Sequence, residues 1–223
     1  RPFLHEFMFR WYLAKTYGLP ATALNDGKAA VLAELSTGNL QGCQNAAVLV
    51  LGTGLGGGLV LNGQLYQSSH FQAGELTFLL PPKLAEIEIE EMRGVEVSAV
   101  GLIHRLAEVL GLADKTDGRA VFQALSQKDQ SIYPLFEDYC RYVALTILNL
   151  QTTLDLETFA IGGGISSQPP PLKEINRQFD RLKAEVHPVQ TLIERPHIIA
   201  CRPPHPANLL WAAHLFKNHL AFK

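Results

Sequence analysis

Short continuous apolar runs alternate along this chain with longer segments in which apolar residues recur at helical spacing. Residues 46–51 and 159–161 are such runs, and each predicts a buried strand that ends abruptly in glycines. Segments 95–111, 117–126 and 130–154 have the apolar spacing of helices that bury one face. Strands that alternate with helices in this way predict an α/β protein.

The first part of the chain predicts two helices with a short strand between them. Residues 3–17 are rich in large apolar side chains and contain no Gly or Pro, so they predict a helix that ends at Gly18. The apolar residues 21–24 predict a strand, and a second helix follows Asn25-Asp26. Asn25 and Asp26 therefore lie between a strand end and a helix start.

Later turns are marked by glycine and proline. Asn62-Gly63, between two short apolar runs, predicts a tight hairpin because both turn residues must accept positive φ. The prolines at 169–171 predict a stiff loop ahead of a charged, exposed helix over 172–186. Residues 197–201 then predict a strand, and residues 207–220 predict a closing helix.

Composition excludes several classes of protein. With 223 residues, 47% of them apolar, the chain buries a sizeable core and is neither disordered nor fibrous. The net charge of −2 and the lack of a basic stripe argue against a nucleic-acid partner for this segment. No apolar run reaches the length of a membrane span and no signal pattern opens the chain, so we expect a cytoplasmic protein.

The cysteines predict neither a disulfide framework nor a zinc site. Cys43, Cys140 and Cys201 lie far apart and form no CxxC pair. They are interpreted as buried thiols.

A glycine-rich segment follows the first buried strand, Gly52-Thr53-Gly54-Leu55-Gly56-Gly57-Gly58. Without Cβ atoms, consecutive backbone N–H groups can turn toward an anion, and a polyphosphate can approach the main chain closely. The Thr53 hydroxyl adds a donor. A strand follows and no Lys-Ser/Thr pair ends the segment, which argues against Walker and Rossmann loops. A tight hairpin that binds nothing is the alternative interpretation.

Asn25-Asp26 admits two interpretations. Asp26 is a candidate general base for the proton of an attacking sugar hydroxyl, with Asn25 hydrogen-bonding a neighbouring hydroxyl. The alternative is an ordinary helix N-cap, the commonest role of Asn or Asp before a helix. Spacing alone favours the cap.

Glu75, in Ala73-Gly74-Glu75, is a candidate sugar ligand because the two oxygens of a carboxylate suit adjacent hydroxyls. A solvated turn glutamate is the alternative. Gly162, Gly163 and Gly164 follow a buried strand and would let a flat adenine or ribose lie against backbone, or else form a plain turn. Isolated histidines such as His70, His104 and His205 are more often surface or packing residues than ligands.

Taken together, these motifs resemble those of ROK-family sugar kinases (repressor, open reading frame, kinase). Asn25-Asp26, the glycine segment 52–58, Ala73-Gly74-Glu75 and residues 161–166 occur in the order found in that family, and residues 206–213 resemble its closing helix. Four motifs in one order are more specific than any one of them. The resemblance covers essentially the whole chain.

The resemblance implies an actin-like, ribonuclease H-like fold of two lobes. Residues 1–44 and 206–223 would belong to the small N-terminal lobe, and residues 45–205 would form the large lobe. The implied substrates are a sugar and ATP with Mg²⁺, and dimers are frequent among such kinases.

The resemblance also implies roles for the motif residues. Asp26 would be the catalytic base, and Asn25 and Glu75 would be sugar ligands. The glycine segment would cradle phosphate through Gly52, Thr53, Gly54, Gly56 and Gly57. Gly162, Gly163 and Gly164 would border the adenosine.

One departure from the family concerns metal. Many members carry Gly-Glu-x-Gly-His followed by a cysteine cluster that binds structural zinc. Here Thr77 and Phe78 replace the last two residues of that motif, and residues 81–94 contain no Cys. We therefore expect no zinc, as in the similar zinc-free β-glucoside kinase-like and hexose kinases of Gram-positive bacteria. One sugar contact is lost with the histidine, and His70 is the candidate substitute.

A second departure concerns the start of the fold. Actin-like kinases open with an Asp-x-Gly-Gly-Thr phosphate loop, and no such loop precedes Asn25. We expect little kinase activity from residues 1–223 alone and an active full-length protein. A sugar-sensing repressor with a DNA-binding segment before Arg1, or a sugar-binding protein without turnover, are the alternatives. Glucose, a β-glucoside, another hexose and N-acetylmannosamine all stay open as substrates.

Overall fold

The computed structural model describes residues 9–18, 25–79, 97–166 and 168–202. The strands in these ranges are β1 (Ala46–Leu51), β2 (Leu55–Leu61), β3 (Gln64–Tyr66), β4 (Thr158–Gly163) and β5 (His197–Ala200). The α-helices are α1 (Phe9–Tyr17), α2 (Asp26–Ser36), α3 (Ala99–Val109), α4 (Gly118–Ser126), α5 (Tyr133–Leu154), α6 (Pro169–Glu185) and α7 (His187–Leu192). A 3₁₀ turn covers Leu76–Phe78.

The described strands form one mixed sheet in the order β3-β2-β1-β4-β5. Strands β1, β2 and β3 are antiparallel neighbours, whereas β4 and β5 run parallel to β1. Leu51, the last residue of β1, is in register with Leu55 of β2 on one side and Gly163 of β4 on the other. The two glycine turns that follow β1 and β4 therefore lie next to each other at one end of the sheet.

Both faces of the sheet are covered, which explains why β1 is apolar throughout instead of alternating. On one face, Leu49, Leu51 and Phe159 pack with residues of α3, α4, α5 and α6 in the larger core. On the other face, Val48 and Ala160 pack against Val31 of α2. The predicted α/β class is confirmed.

Most predicted elements are confirmed, including α2 to α5, the strands β1, β4 and β5, and the hairpin. The hairpin turn has the left-handed backbone that its sequence requires, with φ of 54° at Asn62 and 73° at Gly63. Of the predicted first helix, residues 9–17 are described and helical. The predicted strand at 21–24 and the closing helix at 207–220 lie outside the described residues.

Three sequence predictions are wrong. The helix expected to be exposed over 172–186 has one buried face, with Ile175 and Phe179 fully buried. The glycine segment 52–58 is not one loop, because β2 begins at Leu55 and includes Gly56, Gly57 and Gly58. Residues 169–171 are not a loop but the first turn of α6. Proline is favoured at the first helical position because its missing N–H has no partner there and its φ suits a helix. Helix α7 was not foreseen from the sequence.

Within the described part of the chain, no helix has both the length and the apolar character needed to cross a membrane.

Candidate functional site

Asn25, not Asp26, caps helix α2. Asn25 has extended backbone (φ −61°, ψ 141°), and its Oδ1 accepts a hydrogen bond from the backbone N–H of Lys28 at 3.2 Å. Asp26 is then the first residue of the helix and is exposed, with its Oδ1 accepting from the Gly27 N–H at 2.8 Å. The cap interpretation thus applies to Asn25 and leaves one Asp26 carboxylate oxygen without a hydrogen bond to the described residues.

Glycines let α2 approach the sheet closely. A Cβ on Gly27 would lie 2.6 Å from the backbone N of Gly57 and 2.7 Å from its carbonyl oxygen. A Cβ on Gly58 would lie 2.8 Å from Cγ2 of Val31. Packing between α2 and β2 therefore accounts for Gly27 and Gly58 without a phosphate. The phosphate contacts expected of Gly52, Thr53, Gly54, Gly56 and Gly57 stay a prediction.

The segment that carries Glu75 lies along one edge of β2. Strand β3 pairs only with Leu59–Leu61, and no other strand in the described part of the chain lies beside the first residues of β2 on that side. There the Thr77 hydroxyl donates to the Leu55 carbonyl at 2.9 Å. Gly74 has a φ of +82°, and a Cβ on it would lie 2.7 Å from Cα of Gly58. Glycine at 74 is thus needed both for its backbone conformation and for close contact.

The two packing arrangements bring Asn25 and Glu75 together. The Asn25 Nδ2 donates to the Glu75 Oε1 at 3.4 Å, although the two residues are fifty positions apart in sequence. Glu75 is half-buried, and Asn25 and Asp26 are exposed. One amide and two carboxylates at a solvent-accessible corner can accept from and donate to several hydroxyl groups.

His70 makes no contact with this cluster among the described hydrogen bonds and ion pairs. It is exposed, and among the residues that the structure describes it has no hydrogen bond or ion pair. Its role as a sugar contact stays a prediction. Phe78, which stands where the resemblance predicts a histidine, has 65% of its surface exposed.

The zinc prediction falls mainly on residues 81–94, which lie outside the described ranges. Among the residues that are described, no group of three or more His, Cys, Asp or Glu side chains is arranged to hold a metal ion.

The turn after β1 is fixed to the start of α3. The Gly52 carbonyl accepts hydrogen bonds from the backbone N–H groups of Ala99 at 2.8 Å and Val100 at 3.3 Å. The Gly52 N–H donates to the Gly54 carbonyl at 3.0 Å, which closes the turn on itself. Thr53, at its tip, is exposed.

The turn after β4 depends on a glycine with left-handed backbone. Gly163 has a φ of +101°, and a Cβ on it would lie 2.0 Å from the Leu51 carbonyl oxygen. Its own carbonyl accepts from the backbone N–H of Ser166 at 3.2 Å and from its hydroxyl at 2.8 Å. No other residue type fits the backbone at 163, and the chain then turns away through Gly164.

A cavity of about 860 Å³ opens beside these two turns. Gly52 and Gly164 border it, Ile103 and Phe122 supply apolar walls, and Arg119 is among its polar residues. Cβ atoms added at Gly52 and Gly164 would meet no atom within 4 Å. The cavity has the size of small-molecule and cofactor sites, and its mixture of apolar walls and a few polar groups is typical of them.

Sequence reasoning identified the glycines at this cavity but missed its walls in α3 and α4. Both helices were predicted, and His104 was treated as a surface or packing residue, yet it borders the cavity. Only the placement of α3 and α4 beyond the ends of β1 and β4 shows that they line a site.

The Asn25–Glu75 cluster and the cavity lie toward the same end of the sheet. Gly57, on which Gly27 rests, is two residues beyond Leu55, where the Gly52 turn enters β2. At a rise of about 3.3 Å per residue, that is roughly 7 Å along the strand. In open α/β sheets, ligands commonly bind beyond the carboxyl ends of the parallel strands, which here are the ends of β1 and β4.

The sequence is similar to those of known sugar kinases. It is 28% identical over 172 residues to a beta-glucoside kinase of Listeria monocytogenes, covering 76% of this chain and 58% of that protein. It is 32% identical over 165 residues to an N-acetylmannosamine kinase of Haemophilus influenzae, covering 73% of this chain and 54% of that protein. The chain thus spans little more than half the length of these relatives.

Solved structures agree with this likeness. A ROK family protein from Streptococcus pneumoniae, crystallised with sucrose, superposes with a TM-score of 0.81 at 26% identity, covering all of this chain and 74% of that one. A ROK family glucokinase from Streptomyces griseus, in complex with glucose and AMPPNP, has the same fold, with a TM-score of 0.76 at 22% identity over 92% of this chain and 71% of that one.

The sequence profile of the ROK family matches residues 2–218. The resemblance drawn from the motifs is therefore confirmed, and so is the predicted actin-like fold. Because one family profile spans almost the whole sequence and the structures agree with it, this chain belongs to the ROK family.

Proposed function

We propose that this chain carries the sugar-binding and nucleotide-binding parts of an enzyme that phosphorylates a sugar hydroxyl with ATP. The observation that supports the proposal most is the pairing of Asn25 with Glu75 beside Asp26, at the sheet end where a nucleotide-sized cavity opens. Both relatives described above are named as sugar kinases.

On the sugar side, Asp26 acts as the general base. The sugar hydroxyl oxygen attacks the γ-phosphorus of ATP, the bond from that phosphorus to the bridging oxygen of the β-phosphate breaks, and ADP leaves. The hydroxyl proton passes to the Asp26 carboxylate. Asn25 and Glu75 bind neighbouring hydroxyls, which orients the sugar for attack.

On the nucleotide side, the cavity receives ATP. Ile103 and Phe122 offer apolar surface to the adenine, and the guanidinium of Arg119, also in the lining, is a cation for phosphate oxygens. The backbone of the Gly52 turn lies where a phosphate can approach without meeting a Cβ.

Mg²⁺ fits this site as a companion of ATP. It usually binds through phosphate oxygens and keeps several waters, so the phosphates of ATP would hold it here while Asp26 and Glu75 contact the sugar. Bound in that way, Mg²⁺ would neutralise phosphate charge, while the residues of this chain orient the sugar and accept its proton.

The proposed substrate is a sugar, without a choice among individual sugars. The two relatives are named for different sugars, a β-glucoside and N-acetylmannosamine. The candidate sugars all share the hydroxyl groups that would bind Asn25, Asp26 and Glu75, so these residues do not determine which sugar is the substrate.

The test is an Asp26→Asn substitution in the full-length protein, assayed for ATP consumption against a panel of hexoses, β-glucosides and N-acetylmannosamine. Asparagine keeps the shape of the side chain but cannot take the proton. We expect kcat to fall by about 10²- to 10⁴-fold, with little change in the KM of either substrate.

Asp129→Asn is the matched control. Asp129 is a half-buried aspartate whose side chain likewise accepts a backbone N–H, from Ser131, but it lies in the turn before α5. Its substitution should leave kcat unchanged. Full activity in the Asp26→Asn enzyme would show that Asp26 is not the base.

A further inference from the structure

Lys28 occupies an unusual position for a lysine. It lies in the first turn of α2 and has only 4% of its surface exposed. The N-terminal end of a helix disfavours positive charge, and burial of an ammonium group costs free energy unless a partner compensates. A buried lysine at this position therefore needs a specific interaction that offsets both unfavourable effects.

The interaction joins α2 to the loop that precedes Glu75. The Lys28 Nζ donates a hydrogen bond to the backbone carbonyl of Phe71. Ser68 and Phe71 have left-handed backbone, with φ of 59° and 57°, and Gly74 has a φ of 82°. Such conformations cost free energy in residues other than glycine and persist only where surrounding contacts hold them.

Lys28 also contacts Asn25, the other member of the Asn25–Glu75 cluster. Its backbone N–H donates to the Asn25 Oδ1, and this bond orients the amide whose Nδ2 donates to Glu75. One residue therefore holds Asn25 through its main chain and the loop before Glu75 through its side chain.

We propose that Lys28 is a positioning residue for the sugar, which fixes residues 68–75 against Asn25 and Asp26. The inference rests on the proposed function. The packing of α2 itself depends on Gly27 and on fully buried Val31, so removal of the ammonium group should loosen the loop and leave the helix in place.

The test compares Lys28→Met with Lys28→Arg in the full-length protein. Methionine keeps an unbranched apolar stem but has no N–H donor, whereas arginine keeps donors. For Lys28→Met we expect the sugar KM to rise about tenfold and the ATP KM to stay within about twofold of wild type. The sugar KM of Lys28→Arg should lie closer to that of wild type. Lys173→Met, at an exposed lysine of α6, is the control and should change neither KM.

Hydrogen exchange measures the loop without turnover. The Glu75 N–H is bonded to the Gln72 carbonyl at 3.2 Å, so its exchange reports on loop order. In Lys28→Met, amides of residues 68–75 should exchange faster while those of α3 and α4 keep their wild-type rates. If Lys28→Met does not fold, Lys28→Ala, which also lacks a side-chain donor, serves as the second variant with the same expectation.

A folded Lys28→Met or Lys28→Ala protein with wild-type sugar KM and wild-type loop exchange would overturn the inference. Turnover absent from wild type on every sugar would contradict the proposed function instead. In that case faster loop exchange in Lys28→Met still supports the positioning contact, and unchanged exchange refutes it.

Discussion

The proposed sugar side, around Asn25 and Glu75, is held by glycines in close contact with neighbouring atoms, whereas the proposed nucleotide side, at the cavity, is bordered by glycines that leave space open. Gly27, Gly57, Gly58 and Gly74 lie where a Cβ would collide with a neighbour. At Gly52 and Gly164, a Cβ would meet nothing within 4 Å.

The difference shows that one glycine-rich sequence serves two physical purposes. In β2, the missing side chains bring α2 and the Glu75 segment onto one strand. At the cavity, they leave room for a ligand to approach the main chain. A run of glycines therefore does not by itself indicate a phosphate-binding site. Substitution of single glycines tests the difference between the two sides.

The largest effect is expected at Gly163, the one glycine beside the cavity that is in tight contact with backbone. In Gly163→Ala, the new Cβ would lie 2.0 Å from the Leu51 carbonyl oxygen at a φ of +101°. We expect the free energy of unfolding to fall by about 3 kcal/mol or more in chemical denaturation. Gly164→Ala is the matched control and should change stability by less than about 0.5 kcal/mol. Equal losses in both variants would show that the contact with Leu51 is unimportant.

The next effect is expected at Gly27, on the sugar side. Gly27→Ala would push the first turn of α2 away from Gly57 and so separate Asn25 from Glu75. We expect the sugar KM to rise on the order of tenfold and the nucleotide affinity to stay unchanged.

Gly101→Ala is the control for Gly27→Ala, because Gly101 also lies in a first helical turn, that of α3, but its Cβ would contact only the Ser98 side chain, at 3.3 and 3.4 Å. A parallel loss of AMPPNP binding in Gly27→Ala, measured by calorimetry, would mean that the two sides are not independent.

The smallest effect is expected at Phe122, which borders the cavity and is half-buried. Phe122→Ala removes apolar surface from the proposed adenine wall, and we expect AMPPNP affinity to fall about fivefold, or ~1 kcal/mol. The sugar KM should not change. Leu192→Ala, at a residue that is 78% exposed in α7, is the control. A Phe122→Ala protein with unchanged nucleotide affinity would place the adenine elsewhere.

Much of the fold was predictable because the relevant signals are local. The apolar run of β1 and the Asn62-Gly63 turn report on their own conformations, and both predictions are confirmed. The order of motifs also predicted that Asn25 and Glu75 belong to one site, although only the structure shows the hydrogen bond between them.

The rest could not be predicted because it depends on contacts between distant segments. Nothing in Gly56, Gly57 and Gly58 distinguishes a strand from a loop until Gly27 and Gly74 are placed on them. Phe122 and Arg119 look like ordinary positions of a short helix, and their place at the cavity follows from the packing of α4 beyond β1 and β4.

The pairing of Leu51 with Gly163 also bears on how the molecule assembles. Helices α3, α4 and α5 lie between these two residues in sequence. Pairing Leu51 with Gly163 therefore closes a long loop, and the loss of chain entropy comes before the contacts that offset it have formed. The β1–β2–β3 meander and α2 are close together in sequence and need no such closure. Chain topology therefore favours early formation of the sugar side, and the nucleotide side is completed only when β4 joins β1.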